Sequence, residues 1–313
     1  MLVTGGAGFI GSNLVDRLVD DGHEVVVVDD LFTGFRENVN PKAEFVEGTV
    51  ADEALVGGAM RGVDVVFHQA AHKAVQRSVE RPLVTDLANT HGTLTVLKAA
   101  LDAGVQRLVY ASSSSVYGGA DRVPTPESET LYPRSPYAVT KVAAEHYCHV
   151  FTELYGLETV RLRYFNVYGP RQRPDSTYAA VIPLFIDALV HGKRPMVHGD
   201  GRQSRDFTYI SDVIEANLAA ATAPAEACAG GVYNVAGGDE TSLLELLDAM
   251  GRILGATLEP EFGPPRAGDV RRSRGDGGAA ASDLGFRCTV PLEDGLHRTI
   301  EWLRQRTAGD ARP

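Results

Sequence analysis

Short apolar runs and longer amphipathic stretches alternate through the first half of the chain. The run at 24–29 is nearly all valine, which is typical of a parallel strand covered on both faces. Two long stretches, 84–103 and 137–154, carry apolar residues at helical spacing. This alternation predicts right-handed βαβ units and an α/β fold with a doubly wound parallel (Rossmann) sheet. The predicted strands are 1–4, 24–29, 44–46, 63–69, 107–111, 159–163 and 232–235.

The regular alternation of predicted strands and helices ends after about Asn166. Pro and Gly become frequent there, and two Arg-rich loops occur at 169–176 and 260–276. We expect these loops to belong to a smaller C-terminal lobe that closes over a substrate. The glycine- and alanine-rich stretch 275–281 is either part of that lobe or a flexible linker.

Composition narrows the classes of function. The formal net charge of −11 argues against non-specific nucleic-acid binding, which requires a basic surface. Cys148, Cys228 and Cys288 are far apart in the sequence and predict neither a disulfide framework nor a zinc site, and no metal is expected. We see no signal peptide and no apolar run of membrane-spanning length, and therefore expect a cytoplasmic protein without membrane contact.

A glycine-rich turn follows the first predicted strand. Gly5, Gly8 and Gly11 permit a tight turn, close approach of the backbone to a pyrophosphate, and close packing of the next helix on the strand. The N-terminus of that helix offers free N–H groups to phosphates. Asp29 ends the second strand, where an acid accepts hydrogen bonds from the adenosine ribose and repels a 2′-phosphate. Asp29 and Asp30, with no adjacent Arg, therefore favour NAD over NADP.

A Tyr and a Lys open the helix predicted at 137–154. Tyr137 and Lys141 are four positions apart and share one helical face. A Tyr is a poor base at its reference pKa of about 10, but a nearby ammonium and a positively charged nicotinamide favour the phenolate. The Ser run 112–115 follows an apolar strand and offers a hydroxyl to hold a substrate oxygen against Tyr137. The set predicts a proton acceptor; the alternative is an ordinary helix with a packed Tyr and an exposed Lys.

Several Arg residues have two interpretations. Arg161 and Arg163 alternate on a predicted strand and share one face, which we expect to point at solvent or at the lobe interface. The Arg residues of the loops are either a solvated surface cluster or a phosphate-binding group, since a guanidinium fork binds phosphate bidentately. They are Arg171, Arg173, Arg271, Arg272 and Arg274.

Five segments carry a resemblance to a known family. They are TGGAGFIGS, the Ser run before VYG, YAVTK, RYFNVYGPRQ and GDGRQSRDFTYISDV. Together they resemble the extended short-chain dehydrogenase/reductases, the NAD-dependent epimerase/dehydratase family, over about residues 1–305. Within it the chain is most similar to UDP-glucose/UDP-N-acetylglucosamine 4-epimerases. We therefore expect an NAD-binding Rossmann domain at 1–168, with a segment near 207–236 returning to it, and mainly a nucleotide-sugar lobe at 169–313.

The resemblance implies roles around the cofactor. Tyr137 would be the acid/base, Lys141 would hold the nicotinamide ribose, and Ser113 would be the catalytic hydroxyl. Tyr164 would lie beside the nicotinamide. The positions expected to contact NAD are Gly5, Gly8, Phe9, Ile10, Gly11, Asp29, Asp30, Thr33, Gly34, Thr49, Val50, Gln69, Ala70, Ala71, Lys73, Asn89, Ser112, Tyr137, Lys141 and Tyr164.

One segment departs from the family pattern. After the third strand, members often carry Gly-Asp-Ile or Gly-Asp-Val, whose Asp binds the adenine amino group, whereas this chain has Gly48-Thr49-Val50. The Asp–adenine contact is therefore not expected. Thr49 can still accept one hydrogen bond, and the phosphate and ribose groups continue to predict NAD binding.

The resemblance also places a UDP-sugar in the C-terminal lobe. Asn166, Arg205 and Arg266 would contact its diphosphate, and Asp269 its uridine ribose. The expected substrate contacts are Lys73, Ser113, Ser114, Tyr137, Asn166, Ala180, Val181, His198, Arg205, Arg266, Asp269 and Ser273. Ser273 stands at the gate of the hexose pocket. Members with Tyr there accept unsubstituted hexoses, and a small residue leaves room for an N-acetyl group.

The implied activity is inversion of C4 in UDP-glucose/galactose, in UDP-N-acetylglucosamine/galactosamine, or in both. Tyr137 would take the O4 proton while hydride leaves C4, and the 4-keto sugar would turn over before hydride returns to its opposite face. UDP-glucuronate 4-epimerisation remains an alternative. Related 4,6-dehydratases and decarboxylases carry acids where this chain has Ser114 and Ser115, which disfavours both activities. A catalytically inactive NAD(H)-binding protein would not need the complete Ser–Tyr–Lys set.

The resemblance further suggests a homodimer. The long stretches 84–103 and 137–154 match the helices that pair between subunits as a four-helix bundle. The alternative is that their apolar stripes pack against the sheet.

Overall fold

The computed structural model describes residues 1–173, 180–265 and 270–310. Its strands are β1 (Leu2–Thr4), β2 (Val26–Asp29), β3 (Glu44–Glu47), β4 (Val65–His68), β5 (Arg107–Ser113), β6 (Glu158–Tyr164), β7 (Val167–Tyr168), β8 (Met196–His198), β9 (Ser204–Arg205), β10 (Thr208–Tyr209), β11 (Val232–Val235), β12 (Thr241–Ser242), β13 (Glu261–Gly263) and β14 (Arg272–Ser273). Seven of them form one parallel sheet in the order β11-β6-β5-β4-β1-β2-β3. The predicted doubly wound sheet is confirmed.

Helices cover both faces of this sheet and build much of the C-terminal half. They are α1 (Phe9–Asp20), α2 (Glu53–Ala59), α3 (Val75–Glu80), α4 (Pro82–Asp86), α5 (Gly92–Ala103), α6 (Pro136–Tyr155), α7 (Val181–Val190), α8 (Ile210–Thr222), α9 (Ala225–Cys228), α10 (Leu243–Leu254), α11 (Gly278–Asp283) and α12 (Leu292–Asp310). Within the described ranges, none of the helices combines the length and the apolar character that a membrane crossing requires.

Burial on both faces explains why the strands are apolar throughout. Val3 of β1 and Phe67 of β4 pack into one hydrophobic cluster together with side chains of α1 and α8. Their chain neighbours Leu2 and Val66 point to the other face, into a cluster with side chains of α5. Fully burying such a side chain contributes roughly 1.5–3 kcal/mol, so both faces must carry apolar residues.

The order of the strands reverses between β1 and β4. From β1 the chain proceeds through β2 to β3 on one side, and from β4 through β5 and β6 to β11 on the other. In open parallel sheets a ligand binds at the carboxyl ends of the strands, at such a switch point. The segments that leave β1 and β4 there begin with Gly5 and Gln69.

The helix predicted at 84–103 is not uniform. The chain is helical from Pro82 onward, but Leu87–His91 is a π-helical segment between α4 and α5. π-Helical bulges occur often at functional sites. The buried side chain of this segment is Asn89.

The linker interpretation of 275–281 is wrong. Gly275 is buried, pairs with Thr125 in an isolated parallel bridge, and donates its N–H to Asp206 Oδ2 at 3.1 Å. A Cβ at Gly275 would lie 2.6 Å from Ala236 Cβ, so glycine is required by close packing there. The following residues form α11.

Small sheets organise the C-terminal half. β9 pairs with β12 and β14, β8 with β13, and β7 with β10. They pack with α7, α10 and α12 beside the carboxyl edge of the large sheet, and β11 at the same time completes that sheet next to β6. The domain limits expected from the sequence stay a prediction.

Candidate active site

The glycine turn after β1 is built for close backbone approach. Gly5 has a φ of +72°, and a Cβ added to it would lie 2.7 Å from Ala70 N. A Cβ at Gly11 would lie 2.1 Å from Gly5 O, so the start of α1 packs directly on the turn. Phe9 and Ile10 form the first helical positions after Gly8. The first N–H groups of α1 therefore lie where a pyrophosphate needs donors.

Asp29 has both carboxylate oxygens fixed by backbone donors. Ala7 N donates to Oδ2 at 2.9 Å, and Leu31 N donates to Oδ1 at 2.8 Å. Burial raises the pKa of this carboxyl group, while the two N–H donors lower it. Each oxygen keeps a further lone pair, which can accept a ribose hydroxyl. Asp30 beside it is exposed.

The segment after β2 closes over the glycine turn. Phe35 N donates to Ala7 O at 3.0 Å, and a Cβ at Gly34 would lie 2.8 Å from the Ala7 carbonyl carbon. Thr33 next to it is exposed. Gly34 is therefore required by contact with the turn.

Thr49, which stands where family members often have Asp, lies two residues after β3. Gly48 N donates to Asp29 O at 3.0 Å, which places Thr49 beside the end of β2. Thr49 is exposed, and its Oγ1 accepts from Ala51 N at 3.3 Å. Val50 is buried and would contact a Cβ at Gly92 at 2.7 Å.

The loop after β4 completes the switch point. Ala70 N donates to Thr4 Oγ1 at 3.2 Å, and Ala71 is half-buried. Lys73 is solvent-exposed, with its Nζ 5.8 Å from the centroid of the Phe9 ring. Lys73 therefore lies near the start of α1.

Asn89 connects this loop with α6. Its Oδ1 accepts from His72 N at 2.7 Å, and its Nδ2 donates to Thr140 Oγ1 at 3.0 Å. The side chain is 1% exposed. These bonds give Asn89 a bracing role between the loop and α6, and its contact with NAD stays a prediction.

Ser113, Tyr137 and Lys141 meet at the carboxyl end of β5. Ser113 is the last residue of β5, and Tyr137 lies in the first turn of α6, where Ser135 caps the helix by accepting from Ala138 N at 3.1 Å. Lys141 Nζ donates to Ala111 O at 2.7 Å and lies 5.9 Å from the centroid of the Tyr137 ring. The sequence-predicted constellation therefore exists as one cluster.

Burial sets the electrostatics of this cluster. It raises the pKa of Tyr137, and a hydrogen bond with Ser113 lowers that pKa. Burial lowers the pKa of Lys141 to about 8, while the Glu145 carboxylate raises it. The Tyr137 proton is thus held tightly in the protein alone, and a further positive charge beside the ring is needed for phenolate formation.

Three more predicted residues lie around the cluster. Ser112 Oγ donates to Glu145 Oε1, so this hydroxyl points into the interior behind the site. Ser114 begins the 3₁₀ turn Ser114–Tyr117 and is half-buried. Tyr164 ends β6, and its hydroxyl lies 3.1 Å from Gln69 Nε2.

A cavity of about 250 Å³ opens beside the carboxyl edge of the sheet. It is lined by five of the predicted substrate contacts, namely Asn166, Ala180, Val181, His198 and Arg205. Asn166 has a φ of +27° and donates from Nδ2 to Asp206 O at 2.9 Å, which fixes its direction. Arg205 is anchored through Nη1 to Val270 O at 2.7 Å. The structure thus brings five separately predicted residues to one cavity.

The predicted gate residue neighbours this cavity. Ser273 lies on β14, in parallel register with Arg205 on β9, and is half-buried. The predictions for Arg266 and Asp269 lie outside the described residues.

Several Arg residues have acidic partners. Arg271 Nη1 is 2.9 Å from Asp200, Arg272 Nη2 is 2.6 Å from Glu240, and both are largely exposed. Arg171 Nη2 is 2.6 Å from Asp16. Arg271 and Arg272 therefore support the surface interpretation, whereas Arg171 is only 26% exposed and links its loop to α1 through Asp16.

The expectation that Arg161 and Arg163 face solvent or the lobe interface is wrong. Arg163 is buried and forms an ion pair with Glu145. Arg161 donates from Nε to Gly231 O at 3.2 Å and from Nη1 to Glu145 O at 3.3 Å. The face they share lies under α6, where the backbone and one carboxylate satisfy both guanidinium groups.

The comparisons with known proteins agree with this geometry. The model of the NAD dependent epimerase/dehydratase family matches residues 1–236. The chain belongs to this family. Membership confirms the predicted family and NAD as the cofactor.

Relatives in this family resemble the chain over its whole length. A UDP-glucose 4-epimerase of Mycolicibacterium smegmatis is 43% identical, covering 98% of this chain and 99% of its own. The structure of a UDP-glucose 4-epimerase from Thermotoga maritima with UDP-glucose is 39% identical, with a TM-score of 0.94 over 98% of this chain and 99% of its own.

A third relative carries the name of an N-acetylated sugar. A UDP-N-acetylglucosamine 4-epimerase from Methanobrevibacter ruminantium, solved with UDP-N-acetylmuramic acid, is 37% identical to the chain. Its TM-score is 0.92, and the match covers 97% of this chain and 98% of that one.

Two residues that contact the candidate site were missed in the sequence. Asn217 on α8 is buried, accepts from Gln69 Nε2 at 2.9 Å and donates to the Tyr164 hydroxyl at 2.9 Å. An Asn within an Ala- and Leu-rich helix was its only signal. Glu145, one helical turn after Lys141, is the second, and its i+4 spacing could have revealed it.

Proposed function

We propose that this protein is an NAD-dependent 4-epimerase that interconverts the C4 epimers of UDP-hexoses through a transient 4-keto sugar. The observation that carries this proposal is the cluster of Ser113, Tyr137 and Lys141 at the carboxyl end of β5. Ser113 is in register with Tyr164, which lies two residues before Asn166 of the cavity. The relatives that span the full chain support the same activity.

When bound, NAD would supply reversible hydride transfer at C4 of the sugar. The turn at Gly5 and Gly11 would hold its pyrophosphate, and Asp29 its adenosine ribose. Both assignments rest on the close approach that added Cβ atoms would block and on the fixed carboxylate.

Tyr137 performs the proton transfer. Its phenolate takes the proton from O4 as hydride leaves C4, and the resulting hydroxyl gives the proton back to O4 in the second half of the cycle. Ser113, hydrogen-bonded to Tyr137, holds the O4 oxygen in reach. The Lys141 ammonium, 5.9 Å from the Tyr137 ring, favours the phenolate electrostatically.

The C-terminal cavity keeps the nucleotide fixed while the sugar turns. Asn166 and Arg205 would contact the diphosphate, and the apolar lining residues Val181 and Phe185 would exclude water. Anchoring at the diphosphate leaves the hexose free to present either face of C4. The half-buried Ser273 next to Arg205 leaves room for an N-acetyl group, so we propose N-acetylated hexoses as substrates as well.

Other chemistries of the family fit less well. Ser114 and Ser115 stand where dehydratases and decarboxylases would need carboxylic acids, and a hydroxyl cannot replace an acid of that strength. UDP-glucuronate would need a cation for its carboxylate, and Arg271 and Arg272 already pair with acids.

We also propose a homodimer formed through α4 and α6. Val139, Val150 and Leu154 lie at helical spacing on α6 and are 40–71% exposed. Leu83 on α4, which packs beside α6, is 83% exposed. Apolar side chains in one contiguous stripe favour burial against a second copy. The cytoplasmic location stays a prediction.

The test is a substrate panel of UDP-glucose, UDP-N-acetylglucosamine and UDP-glucuronate, each analysed for its C4 epimer. We expect epimers of the first two. Tyr137→Phe should retain NAD and fold while losing nearly all turnover. A 4-keto-6-deoxy product, turnover of UDP-glucuronate alone, or full activity of Tyr137→Phe would refute the proposal.

A further inference from the structure

A buried ion pair lies directly behind the candidate catalytic residues. Arg163 Nη2 is 2.6 Å from Glu145 Oε2, and Arg163 Nε is 2.9 Å from Glu145 Oε1. Their side chains are only 4% and 3% exposed. This bidentate geometry fixes both groups in orientation as well as in distance.

Further hydrogen bonds extend the pair into a network. Ser112 Oγ donates to Glu145 Oε1 from β5, and Arg163 Nη1 lies 2.8 Å from the Tyr117 hydroxyl. That hydroxyl donates to Asn234 Oδ1 at 2.7 Å. Through these bonds Glu145, on α6, joins its helix to both β5 and β6.

The members of the network are neighbours of the active-site residues. Ser112 directly precedes Ser113, and Arg163 directly precedes Tyr164. Glu145 follows Lys141 by four residues, or about one helical turn. A shift of α6 against the strands would therefore move Lys141 away from both strand ends at once.

Glu145 also contributes the carboxylate charge that acts on Lys141. The titratable groups that face Lys141 are His68 on β4, Tyr110 on β5, and Tyr137, Glu145 and Cys148 on α6. Burial lowers the pKa of His68 to about 3, which leaves it neutral, and raises the pKa of Cys148 to about 12. Glu145 is therefore the charged group that opposes the effect of burial on Lys141.

We propose that Glu145 is a positioning residue for epimerisation: anchored by Arg163 and Ser112, it fixes α6 against β5 and β6 and places a negative charge one turn from the Lys141 ammonium. The inference rests on the proposed roles of Tyr137 and Lys141.

The chain offers a matched control. Arg107 Nε donates to Glu158 Oε2 at 2.8 Å, and these two residues are the register partners that begin β5 and β6. This second ion pair links the same two strands at the end that is remote from the site. Glu145→Gln and Glu158→Gln are therefore the same chemical change in two ion pairs. The pairs lie at opposite ends of the strands β5 and β6.

The first measurement reports the charge of Lys141 directly. The chain has only five Lys, at positions 42, 73, 98, 141 and 193, so isotope-labelled lysine side chains can be titrated by NMR. The signal that is absent from the spectrum of Lys141→Arg is the Lys141 resonance. We expect Glu145→Gln to lower the Lys141 midpoint by about one pH unit or more, as removal of a nearby opposite charge does. Glu158→Gln should leave it unchanged.

The second measurement is the pH profile of epimerisation. In Glu145→Gln the alkaline decline of kcat should begin at a lower pH, together with the lower Lys141 midpoint. Each pH unit of this shift should reduce kcat at high pH about tenfold, with little change in KM. Glu145→Asp keeps the negative charge, so the Lys141 midpoint should stay as in the wild type. The shorter side chain cannot hold Arg163 in the same geometry, so kcat should fall. Glu158→Gln should keep the wild-type profile.

The outcomes separate the two proposals. An unmoved Lys141 midpoint in Glu145→Gln, or equal effects of Glu145→Gln and Glu158→Gln, would overturn the role of Glu145. If Glu145→Gln does not fold, a wild-type kcat in Glu145→Asp overturns it. A wild type that epimerises no UDP-hexose refutes the proposed function, whatever the NMR titration shows.

Discussion

Asn89 Nδ2 donates to Thr140 Oγ1 at 3.0 Å, and this bond ties the π-helical segment to the helix that carries Tyr137 and Lys141. The Oδ1 atom of the same side chain accepts from His72 N in the loop after β4. One buried amide therefore sets the distance between the loop that borders the cofactor cleft and the helix that supplies the acid/base.

Asn89→Ala should weaken both stability and cofactor retention. The substitution leaves His72 N without its acceptor, and a buried group that loses its partner costs about 1–3 kcal/mol. We expect a lower free energy of unfolding in urea and less NAD recovered from the purified protein after denaturation. Asn40→Ala is the control, because it removes a part-buried bond to Asp16 Oδ1 and an exposed bond from Lys42 N, away from this loop and α6. Equal NAD content in both variants would contradict the bracing role.

Patterns along the chain identified the sheet because burial on both faces leaves a continuous apolar run such as 24–29. The glycine turn was equally visible, since no residue with a Cβ fits at Gly5 or Gly11. The π-helical segment was not visible, because it is a short stretch between two α-helices and the apolar pattern of 84–103 runs through it.

Buried charge was the feature that sequence reasoning placed wrongly. An Arg on a predicted strand is expected to face solvent unless a buried acidic partner is known. The partner of Arg163 is Glu145, which lies eighteen positions earlier on another element, so the sequence pattern did not reveal the pair. The predictions for Asn166 and Arg205 came from the family resemblance. Their meeting at one cavity depends on the crossing of separate loops, which periodicity does not encode.

The pH dependence of turnover should reflect Lys141. Burial lowers its pKa from 10.5 to about 8, so the ammonium is lost as the pH rises through that value. Because the ammonium favours the Tyr137 phenolate, kcat should decline above about pH 8. The measurement is kcat for UDP-glucose between neutral and alkaline pH. Lys98→Met, which alters an exposed Lys paired with Asp102, should leave the decline in place; a profile that stays flat to pH 10.5 would contradict this assignment.

Leu154→Glu should convert the proposed dimer into a monomer. Leu154 is 71% exposed in the single chain, so the substitution costs the fold little, but it places a charge in the centre of an apolar contact. Light scattering coupled to gel filtration gives the mass of each variant. Phe262→Glu, at an exposed apolar residue on β13, is the control and should keep the wild-type mass. A wild type that is already monomeric would refute the dimer.

Ser273→Tyr should separate N-acetylated from unsubstituted hexoses. Ser273 lies in register with Arg205 at the border of the cavity, and a Tyr ring there takes up the space that an N-acetyl group at C2 would need. Since the sugar must turn between the two hydride transfers, its largest orientation has to fit. We expect loss of UDP-N-acetylglucosamine turnover by about 100-fold or more, the scale of about 3 kcal/mol of clash, and UDP-glucose turnover within a fewfold of wild type. The control is Arg272→Tyr, because successive residues of a strand point to opposite faces, which puts the same ring outside the pocket. Equal losses with both sugars in Ser273→Tyr would mean that position 273 does not control access to the hexose pocket.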